Sequence, residues 1–71
     1  MLYRLIRSPY SPDAITHVER VADSVFIPFD PANTDYQQFK ADILDGDGQL
    51  ENADGVLMSP EEAKAFVETL P

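Results

Sequence analysis

No cysteine occurs anywhere in the 71 residues, and histidine occurs only once, at His17. The first absence excludes a disulfide framework and any thiolate zinc site, and a single imidazole cannot build a zinc cage. Two common staples of small domains are therefore missing. A chain this short buries only about 60% of the surface its unfolded form exposes, so its own core leaves little surplus stability. Docking on another chain, or on copies of itself, is the remaining common source of stability.

Long apolar runs are also lacking. Nothing approaches the roughly 18 residues of a membrane-spanning helix, and Met1-Leu2-Tyr3-Arg4-Leu5-Ile6-Arg7 reads as too short and too charged for a signal peptide. The expectation is a protein of the cytoplasm in which it is made. Positive charge is scarce: five Lys and Arg stand against 13 Asp and Glu, a formal net charge of −8. Over residues 1–29, Arg4, Arg7 and Arg20 balance Asp13, Glu19 and Asp23, so the whole excess lies in 30–71, where the only cations are Lys40 and Lys64. Such a surface repels phosphate backbones, which argues against nucleic-acid binding. No Gly-x-Ser-x-Gly elbow, lysine-bearing phosphate loop or His-Glu-x-x-His run is present, and no enzymatic activity or cofactor is expected.

What is present divides into two parts of one domain, a strand-rich 1–29 and an acidic, helical 30–71. Met1–Arg7 is rich in aromatic and branched residues and ends at Ser8-Pro9-Tyr10-Ser11-Pro12-Asp13, whose prolines mark a loop. Ile15–Val21 alternates imperfectly, Asp23-Ser24 offers a turn, and Val25–Phe29 is almost continuously apolar. Pro28 removes an amide donor from that last segment, so it should be an edge strand or end there. After Asp30-Pro31-Ala32 the spacing becomes helical, with Asn33 or Thr34 as cap, Gln37 completing a capping box with Thr34, and Tyr36, Phe39, Ile43 and Leu44 on one face. Gly46 and Gly48 should end this helix, and Gly55–Met58 offers a short extended piece. A second helix is signalled by Ser59 as cap, Pro60 at the first position and Glu62 closing a Ser-x-x-Glu box; its stripe is Ala63, Phe66, Val67 and Leu70. The expected architecture is α+β: a small three-stranded antiparallel sheet with one or two short helices on one face.

Two features invite a chemical reading. Asp45-Gly46-Asp47-Gly48 suggests a calcium loop, with Gly48 at the invariant turn position and Asp45, Asp47 and Leu50 in register. The first ligand position then falls on Ile43, which has no oxygen to give, and Asp54 replaces the closing glutamate, so a weak calcium module is only an alternative and no metal ligands are assigned. His17 could serve acid–base chemistry only beside a nucleophile or carboxylate in a pocket, and it reads as a strand-face residue near Glu19.

The segment Phe26-Ile27-Pro28-Phe29-Asp30-Pro31-Ala32-Asn33-Thr34-Asp35-Tyr36-Gln37-Gln38-Phe39 resembles an Ile-Pro-x-Asp-Pro-x-Asn-x-Asp-Tyr-x-x-Phe signature of short proteins from tailed bacteriophages and prophages. That group's pattern continues with a tryptophan and Gly-Asn-x-Pro, from which Lys40–Gly48 departs. The resemblance implies a tail-associated protein, an accessory or chaperone-like subunit of a tail fibre or baseplate. It would act in the host cytoplasm during assembly or stay in the virion tail. Its partner would be a fibre or baseplate protein, trimeric in the fibre case, with self-association and a decoration or connector role as alternatives. The residues expected to form the partner surface are Tyr3, Leu5, Tyr10 and Phe26, because apolar side chains fall on both faces of a sheet that short helices can cover only once.

Overall fold

The computed structural model describes residues 1–11 and 14–71. Six elements follow in order: β1 (Leu2–Arg7), β2 (Ile15–Arg20), β3 (Val25–Pro28), α1 (Thr34–Asp45), β4 (Gln49–Glu51) and α2 (Pro60–Glu68). The strands form one sheet in the order β3-β2-β1-β4. The α+β class holds, and the expected three antiparallel strands are corrected to four in a mixed sheet. β4 runs parallel to β1, pairing Leu2 with Gln49, Tyr3 with Leu50 and Arg4 with Glu51. This fourth strand is the end of a crossover: α1 carries the chain from the β3 edge to the opposite edge, the kind of connection a parallel pairing requires.

The hairpin signals are realised with local adjustments. β1 and β2 pair antiparallel, with a register shift between Ile6 and Arg7: Ile6 faces His17, Arg7 faces Ile15, and Thr16 is left over. That extra residue is a β-bulge, and it accounts for the imperfect alternation of this segment. The turn into β3 spans 21–24, with Ser24 at φ 56°. β3 lies at the sheet edge and ends at Pro28, as its missing donor predicts. Pro12 and Asp13, at the end of the expected loop, lie outside the described residues.

α1 starts on Asn33, whose side chain accepts the amide of Tyr36 at 3.0 Å. The Thr34–Gln37 box does not form, because the Gln37 side-chain Nε2 instead donates to the Pro31 carbonyl at 2.8 Å. Asn33→Ala should therefore cost about 0.5–2 kcal/mol of stability and Thr34→Ala close to nothing; urea unfolding of the two variants distinguishes the caps. Gly46 ends the helix at φ 81°, a conformation that disfavours any other residue. Gly48 is needed for a different reason: a Cβ there would come within 3.1 Å of Asp42 Cβ and 3.3 Å of Ile43 Cδ1. α2 begins with the full reciprocal box of Ser59 and Glu62 and with Pro60 at its first position. The extended piece expected at Gly55–Met58 shrinks to a bridge between Glu51 and Leu57 and a bond from the Met58 amide to the Leu50 carbonyl.

Both helices cover one face of the sheet. Tyr3, Leu5, Val18, Ile27 and Leu50 from the strands meet Tyr36, Phe39 and Ile43 of α1 and Ala63 and Val67 of α2 in one buried cluster. Phe39 stands at its centre, edge-on to Tyr3 with ring centroids 5.0 Å apart and 6.4 Å from Tyr36. Phe66 and Leu70 are half-buried at its margin. Leu44 is 42% exposed rather than buried, because it lies about 100° around the helix from Ile43.

Candidate docking surface

Strand alternation sends every second side chain to the face without helices. Since registered partners share a face, the pairings Phe26–Glu19, Glu19–Arg4 and Arg4–Glu51 lay these residues out as one row across the sheet. The next row holds Pro28, His17 and Ile6. Phe26 is 61% exposed and lies outside the buried cluster. Leu2 and Ile6 are half-buried and likewise stand apart from the core. An antiparallel sheet with one solvated face ordinarily alternates cleanly between apolar and polar, whereas here Leu2, Ile6, Phe26 and Pro28 all lie on the uncovered side.

Arg4 holds the middle of the row. Its Nε donates to Glu51 Oε1 at 2.8 Å, and its Nη1 lies 3.7 Å from Glu19 Oε1. The hydrogen bond to Glu51, more than the charge of that carboxylate, raises the guanidinium above its ordinary pKa. Glu19 and Glu51 sit low in the row, their side chains 15% and 17% exposed. On the same face His17 Nδ1 lies 2.9 Å from the Thr16 hydroxyl, and its registered neighbours are Ile6 and Pro28. The other arginines bind elsewhere: Arg7 to Asp54 at 2.8 Å, and Arg20 to Asp23 and Asp35.

The hydrogen bond from Arg7 holds the Asp54 carboxyl below its ordinary value of 3.8. Because the folded pKa is depressed, the pair's contribution is fully present above the unfolded value and is lost as pH falls through the folded one. Asp54→Asn should therefore flatten the stability–pH curve in the window just below the ordinary carboxylate value, which acid titration followed by circular dichroism would record. The effect should be small, since both side chains are exposed.

Of the four residues expected to face a partner, two are corrected. Tyr3 is 1% and Leu5 5% exposed, because their register places them on the helical face. The Tyr3 hydroxyl donates to Asp42 Oδ2 at 2.6 Å, and burial, followed by that bond, pushes its pKa well up. Phe26 lies on the open face as expected. Tyr10 is 95% exposed in the β1–β2 loop, outside the strand register. Arg4, Ile6, Glu19 and Glu51 were missed, because Leu2 and Ile6 are as apolar as Tyr3 and Leu5 and alternation alone does not say which set turns inward.

The acidic loop serves the helix end. Both the Asp47 and Gly48 amides donate to the Asp42 carbonyl, at 3.0 and 2.9 Å. Among the described residues no group of three His, Asp or Glu is placed to hold a metal ion. A small cleft lies between β4 and the start of α2, lined by Leu50, Leu57, Met58, Pro60 and Ala63. No helix among the described residues is long and apolar enough to cross a membrane. No protein-family model matches this chain, and no curated protein or solved structure matches it either.

Proposed function

We propose that this protein is a non-enzymatic accessory subunit of a bacteriophage tail fibre or baseplate, binding a fibre protein in a chaperone-like manner through the open face of its sheet. The observation that carries the docking role is the uncovered row that starts at Phe26, flanked by Leu2, Ile6 and Pro28. Exposed apolar surface of this kind is what a partner interface removes from water. The free edge is a weaker candidate. β3 has only four residues and ends at Pro28, and both features blunt strand addition.

The phage context rests on the resemblance of residues 26–39, and the fold gives that string a physical purpose. Asp30 Oδ1 accepts the Ala32 amide at 3.0 Å, turning the chain. Asn33 caps α1, and Tyr36 and Phe39 fill the core. The string thus links the edge strand to the helix that backs it. A fibre protein with long-range strand pairing exposes apolar surface and unpaired edges while it assembles, and a small acidic domain covering such surface would keep it soluble. Co-expression with the tail-fibre protein encoded beside it should yield a complex that survives size-exclusion chromatography. If instead the neighbouring capsid protein binds and the fibre protein does not, the decoration or connector reading replaces this one.

A further inference from the structure

Glu19 is the under-served member of the open row. Glu51 receives a hydrogen bond from Arg4, whereas Glu19 has only the 3.7 Å ion pair with the same guanidinium and no hydrogen bond from a described residue. Two carboxylates thus share one cation, leaving an excess negative charge beside the exposed ring of Phe26. An apolar cover laid over this row would strip water from Glu19 without replacing its hydrogen bonds, and burying a charge that way is costly. A second copy would be worse. Each copy brings two glutamates for every arginine to the row and carries −8 overall, so a second copy adds more negative charge than it neutralises.

We propose that the occupant of the open face is a basic amphipathic segment of another protein, which sets one Lys or Arg on Glu19 and apolar side chains on Phe26 and Ile6. This deepens the docking reading above and rests on it. With that segment in place, Glu19 gains the donor it lacks, Arg4 keeps its bond to Glu51, and Phe26 and Ile6 are covered. Water exclusion by the flanking side chains strengthens the new ion pair.

The probes are two labelled helical peptides of identical pattern, one of leucine and lysine and one of leucine and glutamine, titrated against the intact protein by fluorescence anisotropy at near-physiological salt. The lysine peptide should bind about tenfold more tightly than its glutamine counterpart, the size expected for a hydrogen bond to a charged group. Glu19→Gln should remove that preference. Phe26→Ser should weaken both peptides, and Glu68→Gln on α2 should change neither. If the lysine preference survives Glu19→Gln, or falls equally with Glu68→Gln, general attraction to an acidic protein explains it and the proposal is overturned. Should Glu19→Gln not fold, amide shifts of the unaltered protein decide instead: shifts centred on Arg4, Glu19 and Phe26 support the proposal, and shifts centred on α1 and α2 overturn it. A peptide preference that depends on Glu19, found together with no binding of the fibre protein, sinks the phage reading alone. Fibre binding that needs Phe26, with the lysine preference untouched by Glu19→Gln, sinks this inference alone.

Discussion

Replacing Phe39 with alanine is expected to remove about 3–5 kcal/mol of stability, the usual cost of emptying an aromatic site in a packed core. Phe39 is fully buried and touches the rings of both Tyr3 and Tyr36, so the cavity would open where α1 meets the middle of the sheet. A domain of this length has roughly 4–11 kcal/mol in total, taking about 0.05–0.15 kcal/mol per residue. The loss is thus a large share of the whole. In a thermal melt the midpoint should fall by at least about 12 °C. Tyr3→Phe provides the contrast, because it keeps the edge-on ring and deletes only the hydroxyl bond to Asp42, at a cost of about 1–3 kcal/mol. If Phe39→Ala melts within a few degrees of the unaltered protein, the core does not centre on this ring.

The second large effect concerns the strand that the sequence conceals. Leu50→Ala is expected to cost about 2–5 kcal/mol, since Leu50 is 1% exposed and is the only fully buried side chain of β4. Its neighbour Gln49 is exposed, and Gln49→Ala should stay within about 0.5 kcal/mol. The contrast between adjacent positions is the signature of a strand with one face inward. In an irregular loop both substitutions would be mild. Denaturant unfolding of the two variants separates these outcomes.

What could be read from the sequence follows from how local each signal is. The second helix was legible because Ser59, Pro60 and Glu62 satisfy its first amides within one turn. The end of α1 was legible because Gly46 supplies its left-handed conformation without help from elsewhere. Pro28 likewise marked its strand as an edge. β4 was not legible. It spans three residues, two of them polar, next to a glycine-rich turn, and its partner β1 lies more than forty positions away, so no local pattern announces it. The cap of α1 was ambiguous for a related reason: Asn33 and Thr34 are both good caps, and only the bond from Gln37 to Pro31 removes the competing box.

The proposed docking surface was half legible. That apolar residues occupy both faces of the strands could be read from Leu2 to Ile6, and so could the exposure of Phe26 on an edge strand. Which face the helices cover could not, because it depends on the register that pairs Tyr3 with Leu50 and on the ring of Phe39 lying against Tyr3. That contact turns Tyr3 and Leu5 inward and leaves Arg4, with the two glutamates around it, on the open side. The acidic half of the chain then falls to the helical layer and the turns, where Asp45, Glu61, Glu62 and Glu68 are exposed. The molecule presents a charged helical side and a mixed, less charged sheet side, and the depletion of charge from interface cores favours the latter as a contact surface.

The central claim is that this protein binds through the open face of its sheet, and paired aspartate substitutions test it most directly. Phe26→Asp and Ile6→Asp each place a charge on that face; Leu44→Asp places the same charge on an exposed position of α1. Sedimentation velocity of each variant with the co-expressed fibre protein, on samples shown by circular dichroism to be folded, should find the complex lost for Phe26→Asp and Ile6→Asp and retained for Leu44→Asp. A complex that survives both sheet-face changes and disappears with Leu44→Asp would place the contact on the helical layer and contradict the account.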